Sequence, residues 1–158
     1  MMMRDRLATV FGVGHTIYMP GTAASMLALS LAIILVSMVG TWLIWILALA
    51  LVWLGFRVCG EYADAHAKWD APECVIDEFA AVFVIACFMP LSLPAWIAAL
   101  IVFRIFDIWK PWPIPEAEKL MEPGARIMLD DLLAAIPAIF AGWMVYFLSL
   151  ITAFVLGG

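Results

Sequence analysis

The chain has 158 residues, 67% of them hydrophobic and only 13% charged, with a mean hydropathy of +1.09. That apolar excess rules out an ordinary water-soluble domain and predicts a single all-α domain, a polytopic bundle of membrane helices. The formal charge of −5 argues against nucleic acid as a partner and makes contact with anionic lipid awkward unless cations intervene.

The first stretch, MMMRDRLATVFGVGHT, carries Arg4 and Arg6 but no continuous apolar run, so it is not expected to act as a secretory signal. Pro20-Gly21-Thr22, followed by small residues, opens the first apolar block. Thr22 or Ser25 is the expected cap of that helix, and free N–H groups at such a start can also take a phosphate. His15 and His66 have no His or Ser partner nearby in sequence, and each is expected to be structural or solvated.

Residues 22–56 are free of charge over 35 positions. As one helix they would extend about 52 Å, far beyond a hydrocarbon core of about 30 Å, so the block should fold back at Val39-Gly40-Thr41. Residues 79–103 are free of charge over 25 positions, with Pro90 and Pro94 at their centre. Proline there predicts a second helical hairpin, whose arms of about 18 Å leave both a re-entrant and a fully spanning form open. Residues 132–158, with Pro137 near their start, suit a single span. The preceding EAEKLMEPG reads as a short surface helix stopped at Pro123-Gly124.

All eight Lys and Arg lie in the N-terminal segment and in the polar stretches 57–78 and 104–131, with none at the two expected turns. The positive-inside rule puts those three regions on the cytoplasmic side. Twelve of the thirteen acidic residues fall between positions 61 and 131, beside only six basic ones from Arg57 to Arg126, which points to a bound cation. Cys59, Cys74 and Cys87 form no C-x-x-C pair, so neither a disulfide framework nor a zinc site is expected.

Three groups of charges mark helix ends. Asp77-Glu78 opens the middle block and Asp130-Asp131 the last. Arg104, Asp107 and Lys110 follow one helical stripe beside Trp109 and Trp112, at headgroup depth. Each group alone has an ordinary explanation as a cap or an ion-pair ladder. Together they set carboxylates able to hold a metal beside cations able to grip a phosphate.

Four blocks, in order, resemble the phosphatidylglycerophosphatase A family. They are P-G-T-x-x-S at residues 20–25, D-x-x-x-x-V-x-D-E at 70–78, F-R-x-x-D-x-x-K-P-x-P-I at 103–114 and G-x-x-I-M-x-D-D at 124–131. Ala24 and Ala81 stand where the family usually has glycine, and Ala71-Pro72 shifts its usual Asp-Pro by one place. Every carboxylate is in position. The resemblance implies a magnesium-dependent phosphomonoesterase, multi-pass in the bacterial inner membrane, that removes the terminal phosphate of phosphatidylglycerol phosphate on the cytoplasmic side.

On this reading Asp77, Glu78, Asp107 and Asp131 are the expected catalytic residues, and the same four with Asp130 hold Mg²⁺. Arg104, Lys110 and Thr22 would bind the phosphate. A metal-activated water and an Asp nucleophile are both open as the attacking group. The expected partner is a membrane phospholipid, and a homo-oligomer is compatible with the sequence. The motifs of other lipid-phosphate enzymes, D-x-D-x-T, paired His/Arg and D-G-x-x-A-R, are absent. The rival reading is a small ion or lipid transporter, which would place its acids near the membrane midplane on broken helices.

Overall fold

A computed structural model describes residues 3–66, 71–111 and 123–156. The described residues form six α-helices and no strand. After α1 (Met3–Ala8) and a 3₁₀ turn (Val13–His15) come α2 (Pro20–Val39), α3 (Thr41–His66), α4 (Ile76–Phe88), α5 (Leu93–Trp109) and α6 (Pro123–Leu156). Residues Pro20–Val39, Thr41–His66 and Ala125–Leu156 are each long and apolar enough to cross a membrane.

Both expected hairpins form. Gly40 alone separates α2 from α3, at a φ of +98° that disfavours any residue with a Cβ, and its N–H bonds to the Val36 carbonyl at 3.1 Å. In the second hairpin α4 ends at Phe88 and α5 starts at Leu93, with Pro94 in the first turn, where its missing N–H costs nothing. The Trp96 indole donates to the Pro90 carbonyl at 2.6 Å and closes that turn. At about 20 Å for α4 and about 26 Å for α5, both arms fall short of a hydrocarbon core of about 30 Å. The hairpin tip rests on the middle of α6, where the Trp143 indole donates to the Phe88 carbonyl at 2.8 Å.

Two local expectations need correction. Thr22 and Ser25 do not cap α2. Pro20 already occupies its first turn and fixes the helical φ, the cap position falls on Met19, and the Ser25 hydroxyl turns inward to the Gly21 carbonyl at 2.8 Å. Pro123 begins a helix instead of stopping one, because proline is tolerated where the first N–H needs no partner. Asp130 and Asp131 therefore lie two turns inside α6. The rest of the EAEKLMEPG segment lies outside the described residues.

The centre of the bundle is α4. Its sequence, IDEFAAVFVIACF, is apolar on every face beyond the first turn, and it is buried along most of its length between α2, α3 and α6. On α2, Ala24, Ala28 and Ala32 recur every fourth residue and are fully buried. Such a stripe lets helix backbones approach closely, which is how packing replaces the hydrophobic effect inside lipid. Ala24 and Ala81, the two departures from glycine, are both fully enclosed. The remaining apolar side chains, among them Trp53, Phe140 and Phe154, point outward as a lipid-facing surface should.

Two antiparallel hairpins followed by one span bring the start of α2, the end of α3, the start of α4, the end of α5 and the start of α6 to the same end. The N-terminal segment is fastened there as well: the Val75 N–H donates to the Ala8 carbonyl at 2.9 Å, and Gly14 presses against the backbone carbonyl of Glu73. A Cβ at Gly14 would collide with that carbonyl, and a backbone cannot rotate away as a side chain can. Gly14→Ala is expected to cost about 1–3 kcal/mol. Thermal unfolding in detergent should show a midpoint several degrees lower, and an unchanged midpoint would mean that the segment is not fastened in this way.

Candidate active site

At that shared end the helices enclose a cavity of about 380 Å³. Asp77 and Glu78 enter it from the first turn of α4, Arg104, Asp107 and Lys110 from the last turns of α5, and Arg126, Asp130 and Asp131 from α6. The start of α2 forms one wall, with Pro20 and Gly21, and residues Ala71, Pro72 and Cys74 form another.

The stripe on α5 is not a self-contained ladder. Arg104 does pair with Asp107, one turn on, Nη1 to Oδ2 at 2.7 Å. The same nitrogen also reaches across to Glu78 Oε1 on α4, at a weaker 3.3 Å. Lys110 pairs with Asp130 on α6. It can do so because it ends α5 in a left-handed conformation, with φ of 44°, beyond which Pro111 prevents the helix from continuing. Arg104 and Lys110 thus tie α5 to its neighbours through charge.

The two acidic pairs share a local geometry. Asp77 Oδ1 accepts the N–H of Glu78 at 3.0 Å, and Asp130 Oδ1 accepts the N–H of Asp131 at 3.0 Å. Neither bond is a helix cap: the cap position of α4 is Val75, and Asp130-Asp131 sits within α6. In each pair the second carboxylate keeps one buried oxygen with no hydrogen-bond partner, Glu78 Oε2 and Asp131 Oδ2. Asp77 and Asp131 are 8% and 2% exposed, a degree of enclosure that acidic side chains rarely reach without compensation.

Enclosure shows in the acidity of the α4 pair, which lies outside the three long spans. Burial, and then the neighbouring Glu78 charge, hold Asp77 well above the usual carboxylate range. Burial also pushes Glu78 up to about 7; the Arg104 guanidinium pulls it back in part, and Asp107 adds a further upward push. Five acidic and three basic side chains line the cavity among the described residues, so acids outnumber bases there.

The structure brings seven of the eight expected site residues to this cavity. The eighth, Thr22, borders instead an apolar groove on the lipid-facing side of Arg104, and its hydroxyl is buried without a partner. Sequence reasoning missed Arg126, although its spacing of four from Asp130 was a visible signal. Gly21 was missed too: a Cβ there would strike the Glu78 carboxylate and come within 3.1 Å of Arg104 Nη1. No sequence signal pointed to Cys74, which donates to Cys59 Sγ at 3.5 Å beneath the cavity wall. His15 and His66 do not line the cavity; His66 stacks on Tyr62 with centroids 4.2 Å apart.

The profile of the Phosphatidylglycerophosphatase A family matches residues 6–146, which covers most of the chain and every element of the cavity. This chain belongs to the phosphatidylglycerophosphatase A family. Membership makes it an enzyme of the lipid phosphatase kind. The Phosphatidylglycerophosphatase A of Haemophilus influenzae is 37% identical over 134 residues, 84% of this chain and 82% of its own. That of Escherichia coli is 32% identical over 145 residues, 90% of this chain and 81% of its own. A Bacteroides thetaiotaomicron relative, named as a candidate phosphatidylinositol-3-phosphatase, is 32% identical over 137 residues, 82% of this chain and 85% of its own. No solved structure matches the chain.

Gly21 supplies the sharpest test of this geometry. Gly21→Ala should push the Glu78 carboxylate off Arg104 while leaving α2 intact, since alanine favours a helix. Phosphatase activity is expected to fall at least about tenfold, the scale of one misplaced charged group, with unchanged circular dichroism. Full activity would show that the contact between α2 and Glu78 does not position the site.

Proposed function

We propose that this chain hydrolyses the terminal phosphomonoester of phosphatidylglycerol phosphate, with Mg²⁺ as cofactor, at the cytoplasmic face of the bacterial inner membrane. One observation carries the reading: acids and bases from three helices meet in one cavity at the end of a membrane bundle, where a lipid-borne phosphate lies. The family relatives named for this substrate supply the chemical class. A transporter would be expected to hold its acids halfway along the helices, and here they gather at one end. The orientation rests on the distribution of Lys and Arg.

The donor set fits a divalent cation. Two buried carboxylate oxygens, Glu78 Oε2 and Asp131 Oδ2, lack any donor, and acidic side chains outnumber basic ones in the cavity. Among the described residues no three acidic, His or Cys side chains are gathered into a ready-made cage. Mg²⁺ does not need one, because it binds through one or two carboxylates and keeps water and substrate phosphate for its other positions. Asp77, Glu78, Asp107, Asp130 and Asp131 are the residues that would hold it. When bound, the ion supplies positive charge to phosphate oxygens that protein cations alone would not neutralise.

The chain's own groups then have distinct work. Arg104 and Lys110 reach the phosphate oxygens as charge moves onto them, exchanging part of their pairing with Asp107 and Asp130. Asp77, enclosed at the start of the central helix, is a carboxylate placed to take a proton from an attacking water. If an Asp attacks instead, a phospho-enzyme forms and a second carboxylate assists its hydrolysis.

Detergent-purified protein should release phosphate from phosphatidylglycerol phosphate with Mg²⁺ and stop when a chelator is added. Asp77→Asn and Asp107→Asn are expected to lower the rate at least about a hundredfold. Asp64→Asn, exposed on α3 and outside the cavity, should leave it close to wild type. Equal rates in all of these samples would remove the proposal.

A further inference from the structure

We propose that the apolar groove between α2 and α5 holds an acyl chain of the same phospholipid whose phosphate enters the acidic cavity, so that the lipid enters sideways from the bilayer. The inference rests on the phosphatase reading above and adds how the substrate is seated.

The groove has a volume of about 540 Å³ and is lined by Met26 of α2 and by Leu100, Ile101, Ile105 and Ile108 of α5. Two of its residues, Arg104 and Ile108, also line the acidic cavity. The two spaces therefore meet across a single turn of α5, with the Arg104 side chain common to both. A lipid whose phosphate contacts Arg104 from the cavity side needs an apolar path for its chains, and this groove adjoins that same side chain. From Leu100 to Ile108 it follows α5 for about 12 Å, long enough for a substantial part of an acyl chain.

The packing of the bundle explains why the groove exists. α2 packs extensively on α4, and α5 packs on α6, whereas α2 and α5 touch only briefly. That leaves a lateral cleft open to lipid. Ile101 and Ile105 are about half exposed within it, as side chains awaiting an apolar partner would be. Thr22 completes the arrangement. It borders the groove, while its hydroxyl is enclosed and has no protein partner. This placement sets Thr22 beside the groove and outside the lining of the acidic cavity.

Two measurements test the proposal on the whole protein in lipid nanodiscs. A phosphatidate carrying a photoreactive acyl chain should modify Met26, Leu100, Ile101 or Ile105 at least about fivefold more than a phosphatidylcholine with the same chain, the difference that one charge-assisted contact gives. Phe140, exposed on α6, should be modified equally by both lipids. Equal modification of the groove by the two lipids, or cross-links there between two copies of the chain, would overturn the proposal. In the second measurement, Ile101→Trp and Ile105→Trp partly fill the groove. The preference for dioleoyl over dihexanoyl phosphatidylglycerol phosphate should drop about tenfold, equivalent to displacing two methylenes. An unchanged preference would overturn it. If the wild-type protein releases no phosphate from either lipid, the phosphatase reading fails, and the photolabelling pattern alone decides the groove.

Discussion

Carboxylates cannot be buried at the edge of a membrane without compensation, and the guanidinium of Arg104 is where this bundle meets that constraint. Its Nη1 lies 2.7 Å from Asp107 on its own helix and 3.3 Å from Glu78 on α4. Lys110 does the same for Asp130 on α6. These contacts join three helices that otherwise meet through small and apolar side chains. Their worth is more in arrangement than in stability, because the desolvation of buried ion pairs consumes most of their Coulombic gain. The pairing also stays incomplete: Glu78 and Asp131 each keep an oxygen with no donor. An apolar bundle that tolerates such groups at one end, while the described residues of its main apolar core carry no charge, has a site there.

The close packing of the helices makes that arrangement possible. Ala24, Ala28 and Ala32 bring α2 against α4, and Gly21 continues the same face to the point where α2 abuts the Glu78 carboxylate. Gly55 gives Met128 room in the same way near the start of α6. Small residues thus serve two ends at once: in lipid they let helices associate, and at the polar end they set how tightly the charges are crowded. Burial, and then the crowding of charges, in turn makes Asp77 and Glu78 weaker acids and prepares the cavity for cationic charge.

The division of the bundle into tightly and loosely packed pairs bears on the substrate. A headgroup phosphate needs a polar, enclosed space, and acyl chains need an apolar, open one. The acidic cavity and the groove between α2 and α5 have those two characters and share Arg104 and Ile108. A phospholipid is the kind of molecule that matches both at once. A soluble phosphate ester would have no use for the groove.

Much of this was determined by the sequence alone. Charge-free runs of 35, 25 and 27 residues, broken at Gly40 and around Pro90 and Pro94, specify the helices and both hairpins, because lipid leaves the backbone few alternatives. One-sided Lys and Arg placed the charged ends together, and the ordered motifs named the family. Tertiary structure decided which charges touch: the periodicity of α5 predicts a stripe, but only the packing of α4 and α6 against it sends Arg104 to Glu78 and Lys110 to Asp130. It also decided that Pro123 starts a helix, that Gly21 faces a carboxylate, that Arg126 lines the cavity, and that Thr22 borders the apolar groove. Local sequence fixes hydropathy and turns, whereas the direction and partner of a side chain depend on how neighbouring helices are rotated about their axes, and that is set by contacts distant in the chain.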